Sequence, residues 1–556
     1  MGFIHRFCET EFSSHEDFYK NFKLEMPERF NFGYDVVDRL AALQPDKTAL
    51  VWCNDRGDAK TMSFADISRV SDKMANALKS LGVGRGDMVM TMLKRRIEYW
   101  PFAIAAHKIG AVLIPATHML TEKDLAYRIE AAGIKMTLTV EDGPLCGYID
   151  DAQQKTGDVL RVKALLFGKR EGYVNFTELF ESAPETFARP ASYDLPGARE
   201  MMLIYFTSGT TGMPKMAAHD FLYPLCHLTT AKFWHGLDSS DLHLSIADTG
   251  WAKASWSLIY GQWICEAAVF VYDYDGKFQP ADHLALIDKY KVTSFCAPPT
   301  SYRFLIKEDI SKYSLKSLKK CTTAGEPLNP EVYRRWLEAT GVMIREGFGQ
   351  SESVVMVATT VWTKPVPGSL GMLMPETGTT VQDEHGDECE PGEEGEICVR
   401  VPDETNRPIG LFMGYYRDEE KTRAVWRDGI YHTGDAVWQN EDGYVFFKGR
   451  NDDIIKSSGY RIGPFEVESA LLEHPAVLES AVTAVPDADR GASVKATIVL
   501  TKGYEPSDAL IKELQDHVKK VTAPYKYPRI IEFADELPRT ISQKIRRKEI
   551  RERDSI

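Results

Sequence analysis

Apolar residues in the first half of the chain follow two alternating spacings. Between residues 64 and 81 they recur every three or four positions, which predicts an amphipathic helix through Leu81. A glycine turn follows, and then the apolar run MVMTML, which predicts a strand. Residues 100–116 repeat this order, with a helix before the strand AVLIPA. Alternating helices and strands favour an α/β architecture with parallel strand pairing.

The second half of the chain has a different texture. Between residues 368 and 447, glycine turns separate short runs such as EEGEICVRV and EDGYVFFKGR, which predicts a small β-rich subdomain. After GRNDD, the chain contains two helical patterns, GPFEVESALLEHP and DALIKELQDHVKK, and two strand patterns, LESAVTAVP and SVKATIVL. A charged, glycine-flanked linker therefore joins a small α+β domain to the rest.

These patterns predict an α/β fold class with two domains. The large N-terminal domain, residues 1–450, contains parallel or mixed sheets with helices and includes the β-rich subdomain at about 366–448. The small α+β C-terminal domain covers residues 451–556. The division fits the length of 556 residues, because a single hydrophobic core rarely serves so long a chain.

Composition narrows the class of protein. A formal net charge of −14 argues against a general nucleic-acid or membrane surface, and no apolar run reaches the ~20 residues of a membrane span. Nine cysteines without a C-x-x-C pair indicate reduced thiols of a cytosolic protein, most of them packed in the core. The first residues, MGFIHRFCETEFSSHEDFY, lack the features of a secretory signal or transit peptide, so we expect a bacterial cytoplasmic location.

The stretch TSGTTGMPK, residues 207–215, is the first candidate for chemistry. It follows the apolar run MMLIYF, which predicts a strand, and α/β proteins form their sites at strand ends. Glycines allow close backbone approach to a ligand, while hydroxyls, free amides and a lysine bind anions such as phosphate. The spacing differs from that of a Walker A loop, because Met213 and Pro214 separate Gly212 from Lys215.

Further motifs follow in a fixed order. They are AGEP (324–327), REGFGQSES (345–353), YHTGD (431–435), GRNDDIIKSSGYRIGPFEVE (449–468) and LPRTISQKIRR (537–547). Together with TSGTTGMPK they resemble the adenylate-forming superfamily, which includes acyl-CoA synthetases, luciferases and peptide-synthetase adenylation domains. The resemblance covers about residues 35–550, and DTGWAKASW, APYKYPR and SSGYRIGP are most similar to medium-chain acyl-CoA synthetases.

The resemblance implies a reaction in two steps. A carboxylate attacks the α-phosphate of ATP and gives an acyl-adenylate and pyrophosphate, and the thiol of coenzyme A then displaces AMP to form a thioester. The implied residues of the loop that holds the β- and γ-phosphates are Thr207, Ser208, Gly209, Thr210, Thr211, Gly212 and Lys215. The strip implied to line the adenine base is Gly325, Glu326 and Pro327, with Glu346 and Phe348 beside it, while Asp435 is implied to bind the ribose hydroxyls, Arg450 the ribose or a phosphate, and Arg461 a phosphate.

The resemblance also implies catalytic residues. Glu352 matches the family's magnesium-site acid and Ser351 the hydroxyl that contacts the α-phosphate, and Mg²⁺ prefers oxygen ligands beside substrate phosphates. Lys544 matches the lysine that the C-terminal domain places beside the α-phosphate during adenylation. Gln543 stands before it, where the family has glycine, and this puts the geometry of the loop in doubt.

A mobile C-terminal domain is part of the same resemblance. Asp452 matches the hinge about which this domain turns between the two steps. In the second orientation a tunnel for the pantetheine arm of coenzyme A opens, and Gly459 matches a glycine of its wall. The implied coenzyme A-binding residues are Ser458, Gly459 and Tyr460.

The acyl pocket is expected near Trp251 and Gly349. Acetate-specific relatives carry a tryptophan where this chain has Gly349, so the resemblance implies open space for more than two carbons. Each buried methylene is worth ~0.8 kcal/mol, so such a pocket favours longer acids. Trp251 forms a wall or floor of the pocket, or is simply a structural tryptophan. Lys253 in the same motif is expected to be solvated, with a role in binding the substrate carboxylate as the alternative.

We therefore predict an ATP-dependent ligase that joins a medium-chain, branched or short carboxylic acid to coenzyme A, with ATP, Mg²⁺ and coenzyme A as its small-molecule requirements. An adenylation protein that loads an amino or aryl acid onto a carrier protein is the alternative. It requires an acid that pairs with the substrate's amino group, and Asp248 in ADTGW lies near the pocket sequence. A nucleotide-binding sensor without catalysis is the second alternative.

Overall fold

The structure is a computed structural model that describes residues 2–191, 194–207, 213–401, 407–487, 489–540 and 544–554. In these residues the α-helices are α1 (His15–Asn21), α2 (Arg39–Leu43), α3 (Phe64–Ser80), α4 (Tyr99–Lys108), α5 (Glu122–Ala132), α6 (Leu145–Thr156), α7 (Phe176–Ser182), α8 (Tyr223–Thr229), α9 (Ala252–Ser257), α10 (Tyr260–Ile264), α11 (Pro280–Tyr290), α12 (Pro299–Leu305), α13 (Pro330–Thr340), α14 (Glu419–Val425), α15 (Pro464–Leu472), α16 (Asp508–Val521) and α17 (Arg547–Asp554).

The strands of the same residues are β1 (Thr48–Asn54), β2 (Ala59–Ser63), β3 (Met88–Met92), β4 (Val112–Pro115), β5 (Ile134–Val140), β6 (Val162–Leu166), β7 (Val174–Asn175), β8 (Met201–Thr207), β9 (Lys215–Asp220), β10 (Leu242–Ser245), β11 (Ala268–Asp273), β12 (Ser294–Cys296), β13 (Lys320–Ala324), β14 (Ile344–Gly349), β15 (Val355–Ala358), β16 (Ser369–Leu373), β17 (Thr379–Gln382), β18 (Glu394–Arg400), β19 (Gly414–Tyr415), β20 (Trp426–Arg427), β21 (Ile430–Gln439), β22 (Val445–Arg450), β23 (Ile455–Ser457), β24 (Tyr460–Ile462), β25 (Val477–Asp487), β26 (Gly491–Leu500) and β27 (Ile530–Phe533).

Two large sheets form most of the molecule. One has the order β17-β18-β21-β22-β16-β15-β14-β13-β12-β10-β11-β1-β2, and the other has the order β19-β9-β8-β4-β3-β5-β6-β7. In the first sheet β14 pairs in parallel with β13 and antiparallel with β15, so the pairing direction changes at β14. On the β15 side of β14, the strands β16, β17, β18, β21 and β22 belong to the region predicted to be β-rich.

Helix α3 illustrates how the sequence forms these elements. Ser63 and Asp66 make a capping box, in which the Ser63 hydroxyl accepts from the Asp66 amide and the Asp66 carboxylate accepts from the Ser63 amide. Phe64, Ile67 and Leu78 lie on the buried face of the helix and join the largest core cluster. The helix ends near the predicted position, and β3 follows the glycine turn as the apolar run indicated.

The C-terminal residues have a core of their own. Strands β25, β26 and β27 form a sheet, and helices α15 and α16 supply apolar residues such as Val467 and Leu514 to its cluster. Residues 451–454 connect this part to β22. The combination of large mixed sheets with helices and a small α+β part confirms the predicted α/β fold class.

Two further observations concern the whole described chain. The nine cysteines are free thiols, and eight of them are buried while Cys389 is half-buried, as the sequence predicted. Among the described helices, none combines the length and the apolar character that crossing a membrane requires.

Candidate functional site

The ends of strands from both large sheets meet at one place. Strand β14 ends at Gly349, and the GQSES turn follows it. His219 in β9 of the other sheet donates from Nε2 to the Ser351 carbonyl at 2.7 Å. Burial lowers the pKa of His219 to about 3, so the imidazole is neutral and keeps this hydrogen bond near pH 7. The two sheets are therefore joined directly behind Ser351.

Thr207 and Lys215 flank the predicted phosphate loop. They are paired across β8 and β9, which places both residues at the base of the loop. The loop residues Ser208, Gly209, Thr210, Thr211 and Gly212 lie outside the described residues, so their predicted contacts with phosphate remain predictions.

Lys215 and Glu352 lie on either side of Tyr415. The Lys215 ammonium is 4.7 Å from the centre of the Tyr415 ring, and the tyrosine hydroxyl donates to Glu352 Oε1 at 2.9 Å. Burial lowers the pKa of Lys215, and the Glu352 carboxylate opposes this effect. The Lys215 ammonium and the Glu352 carboxylate thus both lie next to Tyr415. The sequence did not point to Tyr415, because it lies in β19, away from the quoted motifs.

A hydrogen-bonded group surrounds the predicted ribose carboxylate, Asp435. Gln350 Nε2 donates to Asp435 Oδ2 at 2.5 Å, and the side-chain oxygen Oε1 of Gln350 accepts from the Tyr431 hydroxyl at 2.6 Å. Arg450 pairs with Asp435 across β21 and β22, with 3.7 Å between its Nη1 and Oδ2. Burial raises the pKa of Asp435 to about 6, against the opposing charge of Arg450.

Gln350 is therefore a functional residue that sequence analysis missed. It lies inside the motif REGFGQSES, but only its amide contacts with Asp435 and the Thr433 carbonyl indicate a role. The arrangement presents one oriented carboxylate, which can accept hydrogen bonds from two neighbouring hydroxyls.

The strip predicted to line a base follows β13. Gly325 has φ of +105°, a backbone conformation that favours glycine, and none of the described residues lies within 4 Å of the position where a side chain would begin. Glu326 accepts a hydrogen bond from the Thr300 hydroxyl at 2.5 Å, and the strip continues through Pro327. This side of the strip is consequently open to a flat ligand.

Glu346 and Phe348 take part in packing behind the strip. Glu346 is buried, its Oε1 accepts from the Leu328 amide at 3.0 Å, and burial raises its pKa to about 8. Phe348 is half-buried against the core cluster of the β-rich region, with its ring centre 6.5 Å from that of Phe447. Both residues position the neighbouring backbone in this structure.

The space beside Gly349 is filled, contrary to the expectation of an open pocket. A Cβ built on Gly349 would lie 2.4 Å from the Trp256 indole, and one on Gly347 would lie 2.6 Å from Trp234. The two indoles meet edge to face, with ring centres 6.4 Å apart. Trp251, one turn before Trp256, is half-buried at the start of α9. Glycine at 349 thus accommodates a tryptophan from elsewhere in the chain.

Lys253 is also placed differently from the expectation that it is solvated. Its ammonium donates to the Ala324 carbonyl at 3.1 Å, and burial lowers its pKa. The Glu326 carboxylate acts in the opposite direction, and the Lys544 ammonium adds to the lowering. Lys253 therefore belongs to the site, between the α9 region and the strip after β13.

Lys544 belongs to the C-terminal part, and its positive charge acts on two residues of the site. Its charge acts on Asp435, where it lowers the carboxyl pKa, and on Lys253. Lys544 is exposed, and its backbone carbonyl accepts from the Thr540 amide at 2.8 Å. The residue before it, Gln543, lies outside the described residues. The charge of Lys544 therefore acts on residues of the site, while its contact with the α-phosphate remains a prediction.

The predicted hinge and coenzyme A residues lie in the linker and the hairpin after it. Asp452 is exposed and accepts from Arg450 Nε at 3.4 Å. Ser458 and Gly459 form the two-residue turn between β23 and β24, and both have positive φ, of 49° and 83°. Tyr460 is half exposed and stacks on Tyr525 at 4.1 Å. In this orientation no atom of the part of the chain that the structure describes lies within 4 Å of a Cβ built on Gly459.

Arg461 does not join the other predicted nucleotide residues. It lies on β24, and its Nε is 3.6 Å from Glu394 Oε2 on β18. Half of its side chain is exposed to solvent. The structure therefore pairs Arg461 with a carboxylate at the boundary between the C-terminal part and the β-rich region.

Comparison with known proteins gives consistent matches over nearly the whole chain. Residues 37–416 match the family model described as AMP-binding enzyme, and residues 466–544 match the AMP-binding enzyme C-terminal domain. The mitochondrial acyl-coenzyme A synthetase ACSM3 of Mus musculus is 41% identical over 553 residues, which covers 98% of this chain and 94% of that protein. The mitochondrial acyl-coenzyme A synthetase ACSM4 of Homo sapiens is 41% identical over 95% of this chain and 91% of its own length.

A solved structure shows the same overall arrangement. The anthranilate CoA ligase AuaEII, crystallised in complex with anthranoyl-AMP, has a TM-score of 0.86 and 28% sequence identity to this chain. The match covers 95% of this chain and 98% of the other.

Proposed function

The chain belongs to the AMP-binding enzyme family, and we propose that it is an ATP-dependent ligase that joins a carboxylic acid to coenzyme A through an acyl-adenylate. Relatives at 41% identity over nearly the full length are acyl-coenzyme A synthetases, and a structural relative was crystallised with an acyl-adenylate. The observation that carries the proposal within this chain is the buried Asp435 carboxylate, which accepts from Gln350 at 2.5 Å and lies 3.7 Å from the Arg450 guanidinium.

In the first step a carboxylate oxygen attacks the α-phosphorus of ATP, and the bond to pyrophosphate breaks. Asp435, oriented by Gln350, accepts hydrogen bonds from the ribose hydroxyls. Lys215 lies at the base of the loop and binds the β- and γ-phosphates, whose charge increases as they leave. Lys544 stabilises the charge that develops at the α-phosphate, because it is a cation placed there before the reaction.

Glu352 fits a role as ligand of Mg²⁺. Its carboxylate is half-buried, one of its oxygens is oriented by the Tyr415 hydroxyl, and it lies beside the lysine at the base of the loop. Oxygen ligands of this kind, completed by substrate phosphates, are what Mg²⁺ prefers. Bound there, Mg²⁺ supplies neutralisation of the phosphate charge. Ser351 and Lys215 bind and orient the phosphate oxygens beside it.

In the second step the sulfur of coenzyme A attacks the acyl carbon, the bond to AMP breaks, and the thiol proton passes to solvent. The C-terminal domain turns about Asp452 between the steps, which removes Lys544 and brings the hairpin of Ser458, Gly459 and Tyr460 to the site. The exposed position of this hairpin is consistent with a surface that is used only after the turn.

The substrate is proposed to be a short to medium-chain or branched acid. Trp256 fills the space beside Gly349, which limits how far a straight chain extends in that direction. Amino-acid loading onto a carrier protein receives no support, because Asp248 is already held by the Gly250 amide at 2.9 Å and lies 3.7 Å from the Arg95 guanidinium.

A panel of acids tests the proposed function. We expect pyrophosphate release with straight acids of four to eight carbons and with branched acids, and we expect net turnover only when coenzyme A is present. The panel runs from acetate to decanoate and includes branched, aromatic and amino acids. ATP–pyrophosphate exchange with an amino acid, unaffected by coenzyme A, would instead assign the protein to the carrier-loading class.

Asp435→Asn is expected to raise the KM for ATP about tenfold. The amide keeps the shape of the side chain but loses a charged acceptor, and hydrogen bonds to charged groups are worth ~1.5–3 kcal/mol. Since burial raises the pKa of Asp435 to about 6, the wild-type carboxylate is lost as the pH falls through that value. The KM for ATP of the wild type should therefore rise below pH 6.

The asparagine variant provides its own control for this pH effect, because it has no carboxyl to protonate. Its KM for ATP should stay level through pH 6. Asp442→Asn, an exposed substitution in the turn after β21, should behave as wild type. Equal pH profiles for the wild type and Asp435→Asn would contradict the role of this carboxylate in ATP binding.

A further inference from the structure

Three side chains with metal-binding atoms share one face of β18 and β21, outside the contacts described above. Glu396 and Cys398 are two residues apart on β18, and His432 on β21 pairs directly with Cys398. Side chains two residues apart on a strand lie on the same face. The carboxylate oxygen, the sulfur and the imidazole nitrogen all lie within 4.8 Å of one another.

The two distances from the imidazole nitrogen are close to those between ligands around a tetrahedral ion. His432 Nδ1 is 3.7 Å from Cys398 Sγ and 3.2 Å from Glu396 Oε2. Zinc binds sulfur at ~2.3 Å and nitrogen or oxygen at ~2.0–2.2 Å, so tetrahedral angles separate its ligand atoms by about 3.4–3.6 Å. The three side chains therefore need little movement to hold one ion.

A β-bulge explains why the Glu396 carboxylate is held in place. Glu396 pairs with Ala436 and Cys398 with His432, so three residues of β21, Thr433 to Asp435, face a single residue of β18. The Gly434 amide in this bulge donates to Glu396 Oε1 at 2.6 Å. The second oxygen of the same carboxylate faces the imidazole. Carboxylates that bind metals are commonly oriented by such a hydrogen bond.

The donor set selects the kind of ion. Thiolate and imidazole ligands favour zinc and related transition metals, whereas Mg²⁺ prefers oxygen alone. Ionised Glu396 and Cys398 together balance a divalent charge, and the thiol proton leaves to solvent when the ion binds. Cys398 is 1% exposed, but the side chains of Glu396 and His432 are 17% and 18% exposed, which leaves an approach from solvent.

We propose that Glu396, Cys398 and His432 bind one Zn²⁺, with water as the fourth ligand. The ion ties β18 to β21 directly beneath the bulge that carries Asp435. Because Glu396 also holds the Gly434 amide, an ion at this site stabilises the turn between Thr433 and Asp435. The site is separate from the oxygen ligands at Glu352, and its occupancy requires neither nucleotide nor acid.

Cobalt provides a direct spectroscopic test, because Co²⁺ replaces Zn²⁺ and gives a near-ultraviolet charge-transfer band only when a thiolate binds it. The full-length protein is freed of metal with a chelator and titrated with cobalt chloride in the absence of nucleotide. We expect a thiolate band that saturates at one ion per chain and disappears when zinc chloride, but not magnesium chloride, is added. Absence of the band in the wild-type protein would overturn the proposal.

Variants assign the band to this cluster. Cys398→Ser should abolish the thiolate band, and His432→Gln should abolish the band or its saturation at one ion per chain. Each variant should weaken Zn²⁺ binding at least tenfold in competition with a chromophoric chelator. Cys389→Ser is the matched control, since Cys389 is a half-buried thiol of the same region outside the cluster. A band that persists in Cys398→Ser and disappears in Cys389→Ser would place the ion elsewhere and refute the proposal.

Glu396→Gln keeps the inference testable if loss of the thiol disturbs folding. Glutamine retains an oxygen that can accept from the Gly434 amide but loses the charge, so the band should remain while Zn²⁺ binding weakens. The unfolding midpoint of the wild type should also rise on addition of Zn²⁺, and that of Cys398→Ser should not. Zn²⁺ affinity of Glu396→Gln equal to that of wild type would exclude the carboxylate as a ligand.

Discussion

Replacement of Lys544 by alanine is expected to slow acyl-adenylate formation about 10²–10³-fold. Lys544 is the cation that the C-terminal part brings to the Asp435 side of the site, and its charge is felt by both Asp435 and Lys253. Removing one preorganised group that stabilises developing charge typically costs this factor. The rate is measured as pyrophosphate release in a single turnover with saturating ATP and acid.

The second half-reaction separates this role from a general structural one. In the proposed mechanism, thioester formation from supplied acyl-adenylate and coenzyme A does not use Lys544, so Lys544→Ala should perform it at nearly the wild-type rate. Lys548→Ala is the matched control, because Lys548 is a half-exposed lysine of the neighbouring helix α17 that pairs with Glu552. Equal loss of both half-reactions in Lys544→Ala would show that the lysine supports the fold of the C-terminal part instead.

The parts of the fold that follow from local pattern were predictable. The helix that ends after Ser80 and the strand that begins at Met88 follow from apolar spacing and a glycine turn within thirty residues of sequence. The ordered motifs likewise indicated the adenylate-forming chemistry, through their resemblance to a known superfamily. Both inferences use information that neighbouring residues carry.

Contacts between distant segments were not predictable in the same way. The glycine at 349 predicted open space, but Trp256, far away in sequence, packs against it. Lys253 was expected to be solvated, but its ammonium lies within hydrogen-bonding distance of the Ala324 carbonyl. Tyr415 likewise is identified as part of the site only by its contacts with Lys215 and Glu352, which belong to other segments of the chain. Side-chain packing between distant segments decides these cases, and no local pattern encodes it.

We propose that the packing of Trp256 against Gly349 limits the acyl chain, so Trp256→Ala is expected to favour longer acids. Removing the indole opens the space beside Gly349, and four additional methylenes buried there are worth ~3 kcal/mol. The ratio of kcat/KM for octanoate to that for butyrate should therefore rise about 10²-fold. The measurement is pyrophosphate release across straight acids from two to ten carbons.

Loss of stability must be separated from this change of specificity, because Trp256 is 6% exposed and removing such a side chain typically costs ~3–5 kcal/mol of folding free energy. Trp256→Leu retains part of the packing and should shift the preference in the same direction by a smaller factor. Trp336→Leu removes a fully buried indole from a different core cluster and should lower the unfolding midpoint without changing the order of preference among acids. An unchanged octanoate-to-butyrate ratio in a folded Trp256→Ala protein would mean that the acyl chain extends in another direction, and the length limit would then lie with other residues such as Trp251.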